Sequence, residues 1–166
     1  KTCGWTMPGD LWVAPDGRVH IVWTERAIDE RLRHKFFPGE RQRHEMNYAI
    51  IENGRVRFRR TLAAVDEGGP GAIASSPRFH VMPDRRLMVL YYVNGSDSEG
   101  KRISENRLIE MLKDGAIAGP VTVPMRHPLT SYFTATVRAG CAPSRWLDLL
   151  GTRDGATRKI SYARVR

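Results

Sequence analysis

A hairpin occurs twice in this chain at a fixed spacing, and that repeat constrains the fold more than any other feature. Residues 11–25, LWVAPDGRVHIVWTE, are an apolar run, a Pro-Asp-Gly turn and a second run rich in Val, Ile and Trp. Residues 79–93, FHVMPDRRLMVLYYV, repeat this layout 68 positions later, with Pro83-Asp84 on Pro15-Asp16 and Tyr92 on Thr24. A second hairpin follows each copy: Asn47 to Ile51, turn Asn53-Gly54, then Val56 to Leu62; and Arg107 to Leu112, turn Asp114-Gly115, then Ile117 to Val123. Asn-Gly and Asp-Gly between apolar runs are strong hairpin signals, because these residues accept the positive φ of a tight turn. Each unit therefore predicts four antiparallel strands. A third unit begins at Tyr132, with strands over 133–137, 146–150 and 159–165, turns around Gly140 to Ser144 and at Asp154-Gly155, and no fourth strand.

Four-stranded units recurring every roughly 50 to 70 residues, without a helical period between them, are the layout of β-propeller blades. The expected fold is all-β: blades of four antiparallel strands over about 9–65 and 76–124, and an incomplete third blade over about 131–166. A final blade lacking its outer strand fits ring closure, in which the start of the chain supplies that strand. Three blades are too few for a ring, since propellers typically have four to eight. Either further blades precede these, in a ring of which seven is one candidate number, or several copies associate, or the piece forms an open twisted stack of sheets; the first is the favoured expectation. The chain then reads as the C-terminal end of a longer protein, with Lys1 inside the coding sequence or behind a processed leader. Residues 26–46, charged around a Phe36-Phe37-Pro38 plug, and residues 94–106, polar and turn-rich, connect second to third strands on one face. Loops on a rigid scaffold are where function tends to sit.

Composition narrows the partners. The net charge is +9, carried by 22 arginines and only 5 lysines. Guanidinium grips carboxylate, sulfate and phosphate in a bidentate manner, which favours a polyanionic partner, although a GC-rich genome produces the same bias. A nucleic acid is disfavoured, because the aromatic residues lie in apolar strands and are not interleaved with basic ones as a stacking platform. No apolar run approaches the roughly 18 residues of a membrane span, so no membrane partner is expected. Cys3 and Cys141 form no ligand spacing and are either free thiols or one disulfide. With no GxSxG, P-loop, HExxH, GxGxxG or EF-hand pattern, neither a metal nor a cofactor is expected.

Alternation along Ser76-Pro77-Arg78-Phe79-His80-Val81-Met82 puts Arg78, His80 and Met82 on one face and Phe79 and Val81 on the other. On the innermost strand of a blade, Arg78 and His80 would line the channel. A guanidinium beside the imidazole would lower its pKa and keep it neutral, able to act as a base; the other reading is a satisfied histidine buried between sheets. Tyr91 and Tyr92 point to opposite faces, to move a proton at the strand end or simply to pack. His80, Tyr92 and Arg78 are the catalytic candidates. Asn106, Arg107 and Glu110 follow on the third strand, where Asn106 and Glu110 share a face in the absence of a bulge and otherwise serve as ion pair or cap. His20, amid apolar residues, reads as an inter-blade hydrogen-bonding residue or a substrate contact.

The densest basic patch holds Arg31, Arg33, Lys35, Arg41 and Arg43 with His34 and His44, partly compensated by Asp29, Glu30, Glu40 and Glu45. Candidate substrate contacts are Arg107, Asn106, His20, Arg41 and Arg43. Arg55, Arg57, Arg59 and Arg60 read as a wet sheet edge that blocks aggregation.

The segments PDGRVHIVW and PDRRLMVLYYVNG, the FFP loop, SENRLIE, and the closing TSYFTAT, LDLLGTR and ISYARVR together resemble the last blades of BNR-repeat, sialidase-like propeller proteins. Bacterial polysaccharide lyases such as the ulvan lyases are among these. The likeness covers nearly the whole chain and is one of blade texture. The Asp-box form SxDxGxTW of true sialidases is absent, and no arginine triad can be assigned. The resemblance implies a carbohydrate-active protein, secreted or periplasmic, acting on an anionic polysaccharide or oligosaccharide by lyase-type β-elimination. Similar lyases move protons with His and Tyr and neutralise the uronate with Arg, residue types matched here by His80, Tyr92 and Arg78. Two alternatives stay open: a non-catalytic propeller that binds sugar or protein, and a sialidase-like glycoside hydrolase, for which Glu110 is the one well-placed carboxylate.

Overall fold

The computed structural model of the chain describes residues 4–112, 115–134, 142–153 and 155–166. Among the described residues, eleven strands form three antiparallel sheets in which sequence neighbours pair. Sheet one holds β1 (Trp5–Val13), β2 (Val19–Arg26), β3 (Arg43–Glu52) and β4 (Arg55–Asp66). Sheet two holds β5 (Gly71–Val81), β6 (Leu87–Ser96), β7 (Arg102–Met111) and β8 (Val121–Val123). Sheet three has β9 (Leu129–Thr134), β10 (Leu147–Arg153) and β11 (Ala156–Val165). The expected repeat of two four-stranded units and a three-stranded one is present.

The turn chemistry explains the pairings. Asn53 and Gly54 both take positive φ, 51° and 72°, as a two-residue hairpin of type I′ needs. Gly115 sits at φ 76° directly beneath the Phe58 ring; a Cβ there would meet the ring at 2.2 Å. That turn therefore closes sheet two onto the outer strand of sheet one. Asp114, Asp154, both cysteines and residues 135–140 lie outside the described residues, and with them part of the expected third-unit strand and its turn.

Two connections differ from expectation. Within 26–46 the chain forms a helix, α1 (Glu30–Phe36). Asp29 caps it by accepting from the Arg31 N–H, Glu30 occupies the first turn, and Arg33, His34 and Lys35 the last, each complementing the helix dipole. Seven residues without an apolar stripe leave no helical period to read. Phe36 is exposed, so the expected plug does not form. Ahead of β3 the buried residues of this segment are Ile28 and Gln42, the Ile28 N–H donating to Gln42 Oε1 at 3.0 Å and the Ile28 carbonyl accepting from Gln42 Nε2 at 2.9 Å. The second connection is mostly strand: β6 runs to Ser96 and β7 starts at Arg102, leaving a short turn in which Asp97 accepts from the Glu99 and Lys101 N–H groups.

The sheets stack face to face around two cores. Between sheets one and two lie Val22, Met46, Tyr48 and Ile50 against Phe79, Val89, Tyr91 and Ile109. Between sheets two and three lie Leu90, Tyr92 and Val123 against Leu129, Tyr132, Leu147 and Leu149. Sheet two is thus covered on both faces, which is why β6 is apolar at every position from Leu87 to Val93 rather than alternating. The opening strands of the sheets lie side by side, β1 against β5 and β5 against β9. They are tied across the gaps: the Phe79 N–H donates to Asp10 Oδ2 at 3.0 Å, and Thr134 Oγ1 donates to the Phe79 carbonyl at 3.2 Å.

Candidate functional site

The cleft with the most chemistry opens between sheets one and two, at the end where the β1–β2 and β5–β6 turns meet. It encloses about 400 Å³ and is lined by Trp12, Arg18, His20, Tyr48, Arg85 and Met111, among others. His20 on β2 and Tyr48 on β3 are placed by sheet register: Val22 is opposite Tyr48 and His20 opposite Ile50, so the two polar side chains emerge diagonally on the same face. Their polar ends meet with His20 Nδ1 2.6 Å from Tyr48 Oη. The pairing expected between blades is therefore made within one sheet, because strand alternation sends both side chains to the sheet-two side.

Burial sets the protonation of this pair. Desolvation, aided by the Arg18 charge, pushes the His20 pKa down to about 4, while desolvation pushes Tyr48 up to about 12. Both groups are neutral near pH 7, and a neutral imidazole bonded to a phenol can pass a proton in either direction. Trp12 walls the cleft with its ring centroid 5.0 Å from that of His20. Arg18 is held at the mouth by Asp16, to which its Nε donates at 2.8 Å. Arg85 reaches the opposite lip from a turn residue at φ 66°.

This buried histidine has a consequence for stability. A histidine near 6.5 in the unfolded chain and about 4 in the fold leaves the unfolded state binding more protons between those values. Stability from His20 is therefore full above about pH 6.5 and falls as pH drops toward 4. Burial lowers His44 and His80 as well, with the same sign. Urea denaturation is expected to show a loss of about 2 kcal/mol from His20 between pH 7 and pH 5, and His20→Gln should flatten that slope.

The residues expected to carry catalysis do not bond to one another. Alternation along β5 holds, with Phe79 and Val81 in the core shared with sheet one, and β5 is bulged between Ser75 and Arg78. The Arg78 guanidinium donates to the Gly9 carbonyl at 2.7 Å and the Pro77 carbonyl at 2.8 Å and lies 5.8 Å from the Phe133 ring centroid, joining the three opening strands. His80 is buried, and its pKa is lowered as expected, but by burial; the backbone at Ser144 and the charge of Asp148 act in the opposite direction, and Arg78 does not contribute. Tyr92 is in the core toward sheet three, with its hydroxyl 2.9 Å from Ser104 Oγ, and Tyr91 faces sheet one.

Among the expected substrate contacts, only His20 lines the cleft. Asn106 is fully buried, donating from Nδ2 to the Leu129 carbonyl at 2.9 Å and accepting the Leu129 N–H on Oδ1 at 2.8 Å, which latches sheet three to sheet two. Asn106 and Glu110 share a face, since β6 and β7 pair without a bulge, and Glu110 pairs with Arg86 at 3.5 Å. Arg107 donates to Glu105 at 2.6 Å. In the charged connection Arg43 bonds Glu45 and Asp66, Arg33 bonds Glu67, and Arg41 is exposed. Arg33 and the Gln42 N–H hold Glu67 down to about 2. The compensation expected for this patch is realised as ion pairs. Arg55, Arg57, Arg59 and Arg60 lie exposed along β4, the edge strand of sheet one.

Tyr48, Trp12 and Arg18 escaped the sequence reading. Trp12 and Arg18 flank the Pro-Asp-Gly turn, so a question about which groups that turn brings near His20 would have found them. Tyr48 needed the β2–β3 register, which the intervening helix conceals. Among the described residues, no group of three or more His, Cys, Asp or Glu side chains converges as metal ligands, and no helix is long and apolar enough to cross a membrane. No protein-family model matches the chain, and no curated protein matches it.

Proposed function

We propose that the three sheets are blades of a β-propeller and that the protein acts on an anionic polysaccharide by β-elimination, with His20 and Tyr48 as the proton-transferring pair. The propeller reading is supported by the sequential four-stranded sheets, their face-to-face stacking and the side-by-side opening strands. The net charge of +9 favours an anionic substrate. The observation that carries the chemistry is the neutral His20–Tyr48 pair at the base of a cleft with Arg18 at its mouth. The resemblance to sialidase-like propeller lyases adds an analogy of residue types, with the pair drawn from His20 and Tyr48 rather than from His80 and Tyr92.

In this reading Arg18 binds the uronate carboxylate and stabilises the charge that grows on it as the neighbouring C–H bond breaks. His20 takes that proton, the C–H electrons become the new C=C bond, and the glycosidic C–O bond on the β carbon breaks. Tyr48 gives its proton to the departing oxygen and recovers the one on His20 Nδ1, so both groups end neutral, with the imidazole in its other tautomer until proton exchange with water resets it.

Incubation with uronic-acid polymers is expected to produce the ultraviolet absorbance of an unsaturated sugar end. His20→Ala should reduce the rate by about a hundredfold or more, while His80→Ala, if folded, should retain it. Full activity in folded His20→Ala would remove the chemistry from this cleft. Binding of the polymer without product, unchanged by His20→Ala, would select a non-catalytic sugar-binding propeller instead.

A further inference from the structure

The elimination chemistry uses Arg18, His20 and Tyr48 and gives no role to the rest of their cleft. Most of that lining is apolar: Trp12, Ala14, Ile50, Leu87, Met111 and Leu112. Strand pairing puts these residues together. Trp12 is opposite His20 and His20 opposite Ile50 in sheet one, while Leu87 is opposite Met111 in sheet two. Ile50, Leu87 and Met111 belong to the core between the two sheets, and Trp12 packs against it. The cleft is therefore the open end of that core, with both walls supplied by sheets one and two.

Polar groups inside the cleft are few. His20 Nδ1 and Tyr48 Oη face each other at 2.6 Å, which leaves His20 Nε2 as the ring nitrogen available to a ligand. Charge gathers at the lip instead. Arg18 and Arg85 stand there with Asp16, whose carboxylate is 2.7 Å from Arg18; among the described residues no ion pair holds Arg85. Two guanidiniums against one carboxylate leave a single positive charge. The rings of the lining are closely spaced, with Trp12 5.0 Å from His20 and His20 5.9 Å from Tyr48 between centroids. A volume of about 400 Å³, apolar walls and a few placed polar groups are the usual properties of a small-molecule site.

We propose that this cleft binds a small aryl carboxylate, with its ring against Trp12 and the apolar walls and its carboxylate on Arg18 and Arg85 at the lip. Ring contacts with Trp12, His20 and Tyr48 favour an aromatic body over an alkyl chain. One net positive charge at the lip favours a single carboxylate, which guanidinium binds in a bidentate manner. A body covered in hydroxyls is disfavoured, because His20 Nε2 can serve one of them and the apolar walls would leave the others without bonds. Such a ligand goes beyond the polymer of the proposed reaction and does not depend on it; the two would compete for Arg18.

The test is titration of the whole chain with phenylpropanoate, followed by the indole N–H resonance of Trp12, which Trp12→Phe assigns. A Kd of about 0.1 mM is expected for a probe of this size. Phenylpropanamide keeps the ring and loses the charge, and should bind about tenfold more weakly. Octanoate and glucuronate should each be weaker by about tenfold or more, the first for want of ring contacts and the second for its hydroxyls. Arg85→Gln should remove most of the preference for the carboxylate over the amide, and Leu112→Asp should weaken both probes by about tenfold or more. Arg85 and Leu112 are exposed, so thermal melts should show both variants folded. A Trp12 resonance unmoved at about 10 mM phenylpropanoate overturns the proposal. Equal binding of the amide overturns the carboxylate at the lip, equal binding of octanoate overturns the aromatic body, and equal binding of glucuronate overturns the apolar one. Binding of phenylpropanoate without lyase activity leaves this ligand standing and removes only the elimination, whereas elimination by a chain that does not bind phenylpropanoate does the reverse. Where both hold, phenylpropanoate should inhibit the elimination competitively.

Discussion

Alanine at Gly151 is expected to cost about 3 kcal/mol of stability, a large part of the 5–15 kcal/mol that holds a typical domain folded. Gly151 is buried on β10, and a Cβ built there would stand 2.1 Å from the Ser131 carbonyl oxygen and 2.6 Å from the Tyr132 Cα. Both obstacles are backbone of the paired strand β9, so no side-chain rotation can relieve the clash. The strands must separate or β9 must shift, and either disturbs Tyr132, a fully buried member of the core between sheets two and three. Gly39 provides the control: nothing lies within 4 Å of a Cβ there and its φ is not positive. Gly39→Ala should change stability by less than about 0.5 kcal/mol. Urea denaturation of the two variants makes the comparison, and equal midpoints would show that β9 is not held as closely as its packing indicates.

The second large effect is expected at Asn106. Its side chain fills the role of a strand backbone, offering one donor and one acceptor to Leu129 at the start of β9. Asn106→Ala removes both bonds and leaves the buried Leu129 N–H and carbonyl without these partners, each at about 1–3 kcal/mol. A total loss of about 3 kcal/mol is the expected outcome, with faster amide exchange at Leu129. Asn106→Asp should be at least as damaging at neutral pH. The carboxylate keeps an acceptor for the Leu129 N–H but loses the donor to its carbonyl, and it places a charge where the side chain is fully buried. A loss below about 1 kcal/mol in Asn106→Ala would mean that apolar packing alone holds sheet three in place.

These two positions show what can be read along a strand and what cannot. Alternation correctly placed Phe79 and Val81 on one face of β5, Tyr91 and Tyr92 on opposite faces of β6, and Asn106 and Glu110 together on β7. It did not identify the neighbour each face meets. Asn106 was readable as a polar residue on a strand, hence as a cap or a sugar contact, and only the approach of β9 makes it a latch between sheets. The expectation for His80 had the right direction and the wrong cause: sequence offers an adjacent arginine, whereas the fold turns that guanidinium onto the Gly9 and Pro77 carbonyls and buries the imidazole. The His20–Tyr48 pair joins residues 28 positions apart, across a helix whose short polar sequence carries no periodic signal.

What the chain alone determined is its local chemistry: the hairpin turns at Gly17, Asn53-Gly54 and Gly115, the period-two strands between them, and the 68-residue repeat that orders them into sheets. Positive φ and alternating side-chain direction depend on a few neighbouring residues, so a linear reading reaches them. The tertiary structure decided which polar side chains became tools and which became fasteners. It desolvated His20 against Tyr48, tied Arg78 and Asn106 to backbone groups, and covered sheet two on both faces while leaving one face of sheet one bare. Each outcome depends on strands from distant parts of the chain meeting in one register, because burial and hydrogen-bond partners belong to the assembled sheets rather than to any single strand.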